Sequence, residues 1–524
     1  MSQAGRTPDV LIVGAGPVGL ALACELGLHG IPCMVSERRD GTVTVPKMSM
    51  VSARNMEFCR RWGIAATVRQ AVWPESHAFD IVYVNGLRGR ELARLKVPSY
   101  QQRGRLDFTP EGACHCPQIY FDPILARHAA AVPSIELRYA TRLDGFEQDD
   151  DGVTATLTAL DSGEVSEIRT RFLVGCDGAT GSVRPALNIE LGGKGAIANS
   201  NSIFFRSKML AAFHDKGWAR IYRLIDETGC WAELIPIDGV DLWRLTLFHD
   251  LDASDPRALL THMAGGEFEA DILSVMPWER RDFVASHYGA GRVFLAGDSA
   301  HQCSPTYGLG MHTGLEEAVN LAWKLAAMVE GWGGRGLLAS YEAERRPVAL
   351  RNVSLSTRSF QDITSLPGWQ AESGSEPLAQ WQSNLERLGG GEALKMQYAY
   401  EGSPICLYGE NEPADLDTLF TARLGARAPH VWLADGRSTL DLFGRGFVLL
   451  VLRQAPEDTK AKGKWQAAAE ACGLPLRIVH LTDADTAKIY RRKLVLVRPD
   501  GHIAWCGDTW LDKPDALLDR VRGA

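Results

Sequence analysis

No stretch of the sequence is apolar for long enough, without a break, to read as a membrane span. The first candidate begins at Val10, but Gly14, Gly16, Pro17 and Gly19 interrupt it and Asp9 precedes it directly. The residues before it show neither a basic leader nor a small-residue cleavage site, so no secretory signal is expected and the chain is read as cytoplasmic. A surplus of positive charge is also missing. The formal net charge is -8, which argues against nucleic acid or an anionic membrane as the main partner. The 11 cysteines include no CxxC pair, and scattered thiols in a chain of 524 residues suggest reduced cysteines rather than a disulfide framework. Cys114-His115-Cys116 is the one dense cluster. No second ligand pair accompanies it, and no metal site is expected. Internal repeats and low-complexity tracts are absent too. What is present is 45% hydrophobic and 23% charged, the composition of a globular protein long enough for two or three domains.

The N-terminal pattern is a strand, Val10–Val13, a glycine turn, a helix from about Pro17 to His29 and a second strand, Cys33–Glu37, which together open a βαβ unit. Val153–Thr158, Ile168–Val174, Asn201–Arg206, Ala219–Leu224, Trp231–Pro236 and Leu242–Phe248 also read as strands. The last four follow one another with little helix signal between them, which predicts an antiparallel sheet inserted into an α/β domain. Leu315–Glu330 and the Ser340–Phe360 region read as helices. Gly/Ser/Pro-rich passages at Leu366–Pro377 and Gly389–Gly391 read as loops or a linker. A new β-rich pattern starts near Pro429, with Phe447–Arg453, Arg477–Leu481 and Leu494–Arg498, and predicts a separate C-terminal domain.

Gly14-Ala15-Gly16-Pro17-Val18-Gly19 has the GxGxxG spacing. The first glycine permits a tight turn, the second lets the backbone approach a pyrophosphate, and the third lets helix and strand pack closely. The helix N-terminus offers free N–H groups to phosphates. Glu37 ends the second strand about twenty residues on, where an acid can bind ribose hydroxyls. A purely structural glycine turn is the alternative, and the motif alone does not separate FAD from NAD.

Two further motifs bear on that choice. Phe172-Leu173-Val174-Gly175-Cys176-Asp177-Gly178 is a strand running into an Asp-Gly turn, with Arg184 following. Val293-Phe294-Leu295-Ala296-Gly297-Asp298 is a strand ending in Gly-Asp. It continues through Ser304-Pro305-Thr306-Tyr307-Gly308-Leu309-Gly310-Met311-His312-Thr313-Gly314 into the long helix. Asp298 at a strand end can accept a ribitol hydroxyl. The glycines after Pro305 let backbone N–H groups face a ligand, and the helix dipole there favours an electron-rich oxygen. A reduced flavin carries negative charge near its pyrimidine ring, which suits this helix start.

The three motifs, in this order, resemble those of the group A flavoprotein monooxygenases of the phenol hydroxylase and para-hydroxybenzoate hydroxylase type, over roughly residues 8–360. The C-terminal region, through Ala428-Pro429-His430, Asp435-Gly436-Arg437 and Val497-Arg498-Pro499-Asp500-Gly501-His502, resembles the thioredoxin-like domain attached to phenol and polyketide hydroxylases. Lacking a CxxC, it is expected to be a packing or dimer module without thiol redox chemistry. The resemblance implies an α/β fold. A Rossmann-like FAD-binding domain is formed by residues 1–190 and 285–400. An antiparallel-sheet substrate domain occupies 191–284, with part of 75–115, and a thioredoxin-like domain occupies 401–524. It also implies that Gly14, Gly16, Gly19, Glu37 and Arg38 bind the ADP half of FAD. Arg54 is then the arginine near the pyrophosphate, and Gln118 contacts FAD. Asp177 and Gly178 belong to the motif linked to both FAD and NAD(P)H. Asp298, Pro305, Gly308, Gly310, Met311 and His312 complete the flavin contacts.

The activity so implied is hydroxylation of an aromatic, phenolic small molecule. FAD is reduced by NADH or NADPH and takes up O2 as the flavin C4a-hydroperoxide. There is no second dinucleotide fingerprint, in keeping with a nicotinamide cofactor that visits transiently. Two other readings stay open: Baeyer–Villiger or epoxidation chemistry on a polyketide-type substrate, and a non-catalytic flavin-binding protein. The oligomeric state is open, with a homodimer as one outcome. The sequence departs from the family where members often place an Asp or His before the Arg54 equivalent. Here Lys47-Met48-Ser49-Met50 offers no strong base, and Ser49 is a substrate-side candidate. His312 replaces an asparagine, with either its backbone N–H or its ring at work. Tyr307 stands where many members have glycine, and is either a packing aromatic or a residue facing the substrate. These two are the catalytic candidates. Phe205, Tyr222 and Trp231 on the expected sheet are candidates for the substrate side.

Overall fold

Val10–Val13 has no polar residue to offer solvent, and it lies fully buried inside a six-stranded sheet. Strands Cys33–Ser36 and Phe172–Gly175 flank it in parallel, with Val10 opposite Cys33 on one side and Phe172 on the other. Ile135–Arg138 and Val293–Leu295 extend the parallel order, and Gly289–Ala290 closes one edge antiparallel. Burial on both faces is what such continuous apolar strands require. The structure, a computed structural model, describes residues 7–248, 251–370, 375–389, 395–407, 421–453 and 458–524. Helix α1 (Pro17–Leu28) begins with proline, which supplies no N–H where none is needed, and packs against the helix Gly310–Glu330.

The second sheet has eight strands in the order His301–Gln302, Asp271–Ala285, Leu191–Arg206, Leu242–Leu247, Cys230–Pro236, Ile221–Ile225, Ile81–Val84 and Glu91–Leu95. Ile221–Ile225 pairs with Ile81–Val84 in parallel, and the other pairs are antiparallel. One face packs beneath the helix Pro256–Ala264, and the other meets the loops of the first sheet. The α/β architecture with an antiparallel sheet is as the motifs implied.

Several local expectations change. Asp271–Ala285 is a long strand that periodicity did not reveal, because Pro277 and the charged run Glu279–Asp282 interrupt its alternation. It follows Leu191–Arg206 through three register shifts. Ile168–Val174 is not one strand. Val165–Thr170 belongs to a three-stranded antiparallel sheet and Phe172–Gly175 to the parallel one. Arg171 separates them, with its guanidinium on the carbonyls of Met328 and Val329, where the long helix ends and a cation is favoured. That helix starts at Gly310 rather than Leu315. A helix, Ser375–Gly389, begins inside the passage expected to be a loop, while residues 371–374 and 390–391 of the two expected loops lie outside the described residues.

At the C-terminal end, Leu476–Leu481, Phe447–Leu452, Leu494–Val497 and Ile503–Gly507 form a four-stranded sheet, its first pair parallel and the rest antiparallel. With helices Thr459–Ala471 and Asp515–Val521 this is a thioredoxin-like arrangement. Its core is continuous with the long helix through Trp323, Trp332, Phe447 and Leu449. The eleven cysteines form no disulfide. Among the described residues no helix is long and apolar enough to cross a membrane.

Candidate functional site

The glycine turn after Val13 is shaped by what each glycine touches. Gly14 has φ +106°, and a Cβ there would come within 2.5 Å of the Cys176 carbonyl oxygen, so this turn lies directly against the Asp177 turn. A Cβ at Gly19 would strike the Gly14 carbonyl. Gly16 differs. It is half-buried, and no protein atom lies within 4 Å of the added Cβ. The space before the first turn of α1, whose N-cap makes no side-chain hydrogen bond, is therefore an open cradle faced by backbone N–H groups, as a phosphate needs. Glu37 is fixed at its rim: Oε2 accepts the Ala15 N–H at 2.9 Å and Oε1 the Arg39 N–H at 2.9 Å. Asp177 Oδ2 accepts the Val183 N–H at 3.0 Å. Burial raises the Asp177 carboxyl, while nearby backbone N–H groups and the exposed Arg38 oppose that rise. Gly178 follows at φ +79°.

The Gly-Asp motif reaches the same place through close packing. Gly297 has φ +67°, and a Cβ there would lie 2.9 Å from Val18 Cγ2 of α1. A Cβ at Gly314 would lie 2.5 Å from the same methyl and 3.0 Å from Gly297 Cα. Glycine at both positions is thus what lets α1, the Gly297 turn and the long helix meet. Two residues the sequence reading passed over hold this turn. Buried Glu317 accepts the Gly297 N–H at 2.8 Å and lies 3.1 Å from His301 Nε2. Their spacing was visible, with Glu317 three residues after Gly314 and His301 three after Asp298, but only the fold brings them together. Asp298 opens into the cleft. Surrounding protein still desolvates it enough to raise its carboxyl, against the pull of His301 and Lys47.

Pro305 and Gly308 are exposed on the same side, Gly308 at φ +67° with nothing near an added Cβ. A Cβ at Gly310 would lie 3.2 Å from Cys303 Sγ, and Met311 packs half-buried on the core. The long helix starts here without a side-chain cap, so its first N–H groups face the open side. Open space at Gly16, carboxylates at Glu37 and Asp298, and an uncapped helix start together form a donor and acceptor set that FAD fits. The His312 ring turns the other way: Nε2 lies 3.1 Å from the Ser52 nitrogen and 3.0 Å from the Met50 oxygen, fastening the helix to the start of helix α2 (Ala53–Arg61). Tyr307 sits at φ +77° in the loop.

Three substrate-side candidates need correcting. Phe205 and Tyr222 are buried beneath the helix Pro256–Ala264, and Trp231 packs on His262 at 4.9 Å. The pleat of the sheet decides this, since neighbouring residues on a strand point to opposite faces. The face toward the loops carries arginines instead. Arg280 Nη1 donates to Ser304 Oγ and Thr306 Oγ1, each at 3.2 Å, with the Trp278 and Phe360 rings 4.7 and 4.5 Å from its guanidinium. Arg244 donates to the Pro46 carbonyl. Burial lowers both guanidinium groups, Arg280 to about 10, while Glu233 opposes that fall. Ser49 is half-buried, its carbonyl accepting the Cys116 N–H at 2.9 Å.

Arg54 is not directed at the glycine turn. Its Nη1 donates to Glu57 Oε2 at 2.9 Å and its Nη2 to the Asp500 carbonyl at 3.1 Å, and its guanidinium lies 4.4 Å over the Phe58 ring. Glu57 is buried one turn further on and also takes Arg427, so the interface with the C-terminal region claims both arginines. Gln118 Nε2 donates to Asp122 Oδ2 at 2.9 Å. Burial pushes Asp122 up to about 7, although Gln118 and Lys47 act to lower it.

The chain is similar to known proteins over nearly its whole length. The family described as FAD binding domain matches residues 7–356, and the family described as aromatic-ring hydroxylase, C-terminal matches residues 421–524. A putative polyketide hydroxylase of Streptomyces halstedii is 34% identical over 537 residues, covering 95% of this chain and 93% of that protein. The solved structure of chromopyrrolic acid-soaked RebC with bound 7-carboxy-K252c gives a TM-score of 0.91 at 38% identity, covering 99% of each chain. A ternary complex of aklavinone-11 hydroxylase with FAD and aklavinone gives a TM-score of 0.84 at 28% identity, covering 100% of each.

Proposed function

Because this chain belongs to the FAD-dependent aromatic-ring hydroxylases, we propose that it uses NADH or NADPH and O2 to hydroxylate a phenolic small molecule held between the eight-stranded sheet and the Ser304–Gly310 loop. The observation that carries the placement is the Arg280 bridge to Ser304 and Thr306, which brings the inner sheet face over that loop. Bound FAD supplies the electron transfer to oxygen. The chain supplies the rest. The first turn of α1 and the space at Gly16 take the phosphates. Glu37 takes ribose hydroxyls and Asp298 a ribitol hydroxyl. The uncapped start of the Gly310–Glu330 helix faces the electron-rich pyrimidine edge.

The arginine-bearing sheet face also accounts for the missing base at Lys47–Met50. Arg244 and Arg280 lie close enough to repel one another, with Glu233 as their nearby carboxylate. Such a face favours an anion, so it holds a bound phenol as phenolate, its proton passing to water, and enriches the ring without a side chain that accepts the proton. Phenols and their methyl ethers, each tested for stimulated NAD(P)H oxidation and for product mass, check this reading. Phenols should stimulate and gain one oxygen, and the ethers should do neither. Stimulation by no aromatic compound would refute hydroxylation, and equal turnover of the ethers would refute the phenolate step. The position of the new oxygen separates ring hydroxylation from Baeyer–Villiger or epoxide products.

A further inference from the structure

A second cleft lies at the far end of α1, where Leu28, Phe58 and Arg61 face Phe443, Arg445 and Arg477 of the C-terminal region. Its volume is about 610 Å³, within the roughly 300–1,000 Å³ of small-molecule sites. α1 has 12 residues, so about 18 Å separates this cleft from the glycine turn, and it is not part of the phosphate cradle described above.

Its charge is unbalanced. Arg54, Arg60, Arg61, Arg445 and Arg477 line it, against Glu57 and Asp441. Arg54 pairs with Glu57, Arg60 with Asp441 and Glu111, and Arg61 with Glu25 from behind. Arg445 and Arg477 have no carboxylate partner among the described residues. Both are exposed, and Arg477 donates to the Leu442 carbonyl. A cationic surplus beside an apolar side formed by Leu28 and Phe443 suits a multiply charged anion with an apolar part.

We propose that this cleft binds a nucleoside diphosphate group, its phosphates on Arg445, Arg477 and Arg61 and its base against the apolar side at Leu28 and Phe443. The proposal rests on the reading that the enzyme consumes NAD(P)H to the extent that the ADP end of that co-substrate is one source of the group. A free adenine nucleotide acting as an effector is the other. The test uses the full-length, FAD-loaded enzyme and ADP as the probe, with binding followed by calorimetry. The double variant Arg445→Ala/Arg477→Ala should bind ADP at least tenfold more weakly, with FAD content and flavin absorbance unchanged. Loss of affinity with rising salt should accompany binding to the wild type. Equal ADP affinity in the two proteins, or no ADP binding by the wild type, overturns the proposal and leaves the aromatic-stimulated oxidation, measured separately, to stand or fall by itself. Flavin reduction by NAD(P)H in the presence of ADP then identifies the source. Competition assigns the cleft to the co-substrate, and reduction indifferent to ADP assigns it to an effector.

Discussion

The start of the Gly310–Glu330 helix and the stretch beyond it meet surroundings of opposite kind. At its start there is no capping side chain, Gly308 and Pro305 are exposed, and backbone donors face open space. Further along the same helix, from Glu316 to Lys324, buried polar side chains face the protein. Glu316 accepts from Tyr398 Oη at 2.5 Å and lies 3.3 Å from Arg345 Nη2. Asn320 Nδ2 and Lys324 Nζ each lie 2.7 Å from Glu344 Oε2. Arg498 of the C-terminal sheet joins Glu344 at 2.8 Å and Asp500 at 2.6 Å, with these side chains almost wholly buried. The first end leaves uncapped backbone donors on its open side. The stretch beyond uses its polar side chains to hold the thioredoxin-like region in register. A buried ionic network of this kind is weak evidence for net stability, but removing one member is costly. The C-terminal region is therefore built into the scaffold that carries the open end, although its sequence has no CxxC pair.

The sharpest way to break this comparison is at the closed end. Arg498→Met strips Asp500 and Glu344 of their buried partner and should cost on the order of 3–5 kcal/mol, read as a lower denaturation midpoint or as insoluble protein. The network also sets an acid limit. Burial alone would raise the Glu344 carboxyl, but Arg498 and Lys324 hold it well below its ordinary 4.5. A depressed carboxylate stabilises fully above that ordinary value and loses its contribution as the pH falls further. Wild type should destabilise below about pH 4.5, and the variant should show less of this dependence. A variant as stable as wild type would show that the network does not hold the regions together.

At the open end the expected loss is of flavin rather than fold. A valine at Gly16 meets no protein atom through its Cβ, so Gly16→Val should fold with an unchanged far-ultraviolet spectrum and purify colourless, its side chain filling the phosphate cradle. Retention of a full flavin complement would remove the cradle from the site. Asp298→Ala should be milder. Loss of one charge-assisted hydrogen bond is worth about 1.5–3 kcal/mol, a roughly ten- to 150-fold weaker FAD affinity by titration of the apoprotein, with the fold intact. An unchanged affinity would place Asp298 outside the contact.

What could be read from the sequence follows the same division. The glycine turn, the Asp177 and Asp298 turns and the order of the motifs are local signals, because each needs a particular residue at a particular backbone angle. Gly14, Gly297 and Gly314 fulfil that logic through contacts that no side chain could share. Phe205 and Tyr222 were misjudged because alternation along a strand defines two faces without saying which one meets the flavin loops. Arg280 lay hidden in a charged run that reads as solvated surface, and beside its near neighbour Glu57 Arg54 is held by the Asp500 carbonyl, hundreds of residues away. Glu317 and His301 are likewise ordinary residues until the fold sets them on Gly297. Contacts of long sequence separation carry these roles, and a single sequence gives no pattern for them.

Tyr307 offers the smallest but most specific test, because it carries strain within the open end itself. Its φ of +77° lies in the left-handed region, where a side chain costs about 1 kcal/mol relative to glycine. The loop holds this angle between Pro305, whose carbonyl accepts the Gly308 N–H at 2.9 Å, and Gly308, itself at positive φ. The Tyr307 ring lies 5.9 Å from Lys395 Nζ. Strain kept at one residue of a loop with an open outer side is a reason to expect use of its side chain. Tyr307→Gly should therefore raise the thermal midpoint slightly or leave it unchanged, keep its FAD, and still make less hydroxylated product and more hydrogen peroxide per NAD(P)H. Tyr307→Phe retains the strain and the ring and removes the hydroxyl, so it divides the effect. A loss of coupling in both variants assigns substrate placement to the hydroxyl, and a loss in the glycine variant alone assigns it to the ring. Wild-type coupling in Tyr307→Gly would make the tyrosine a packing residue and would remove it from the substrate side of the site.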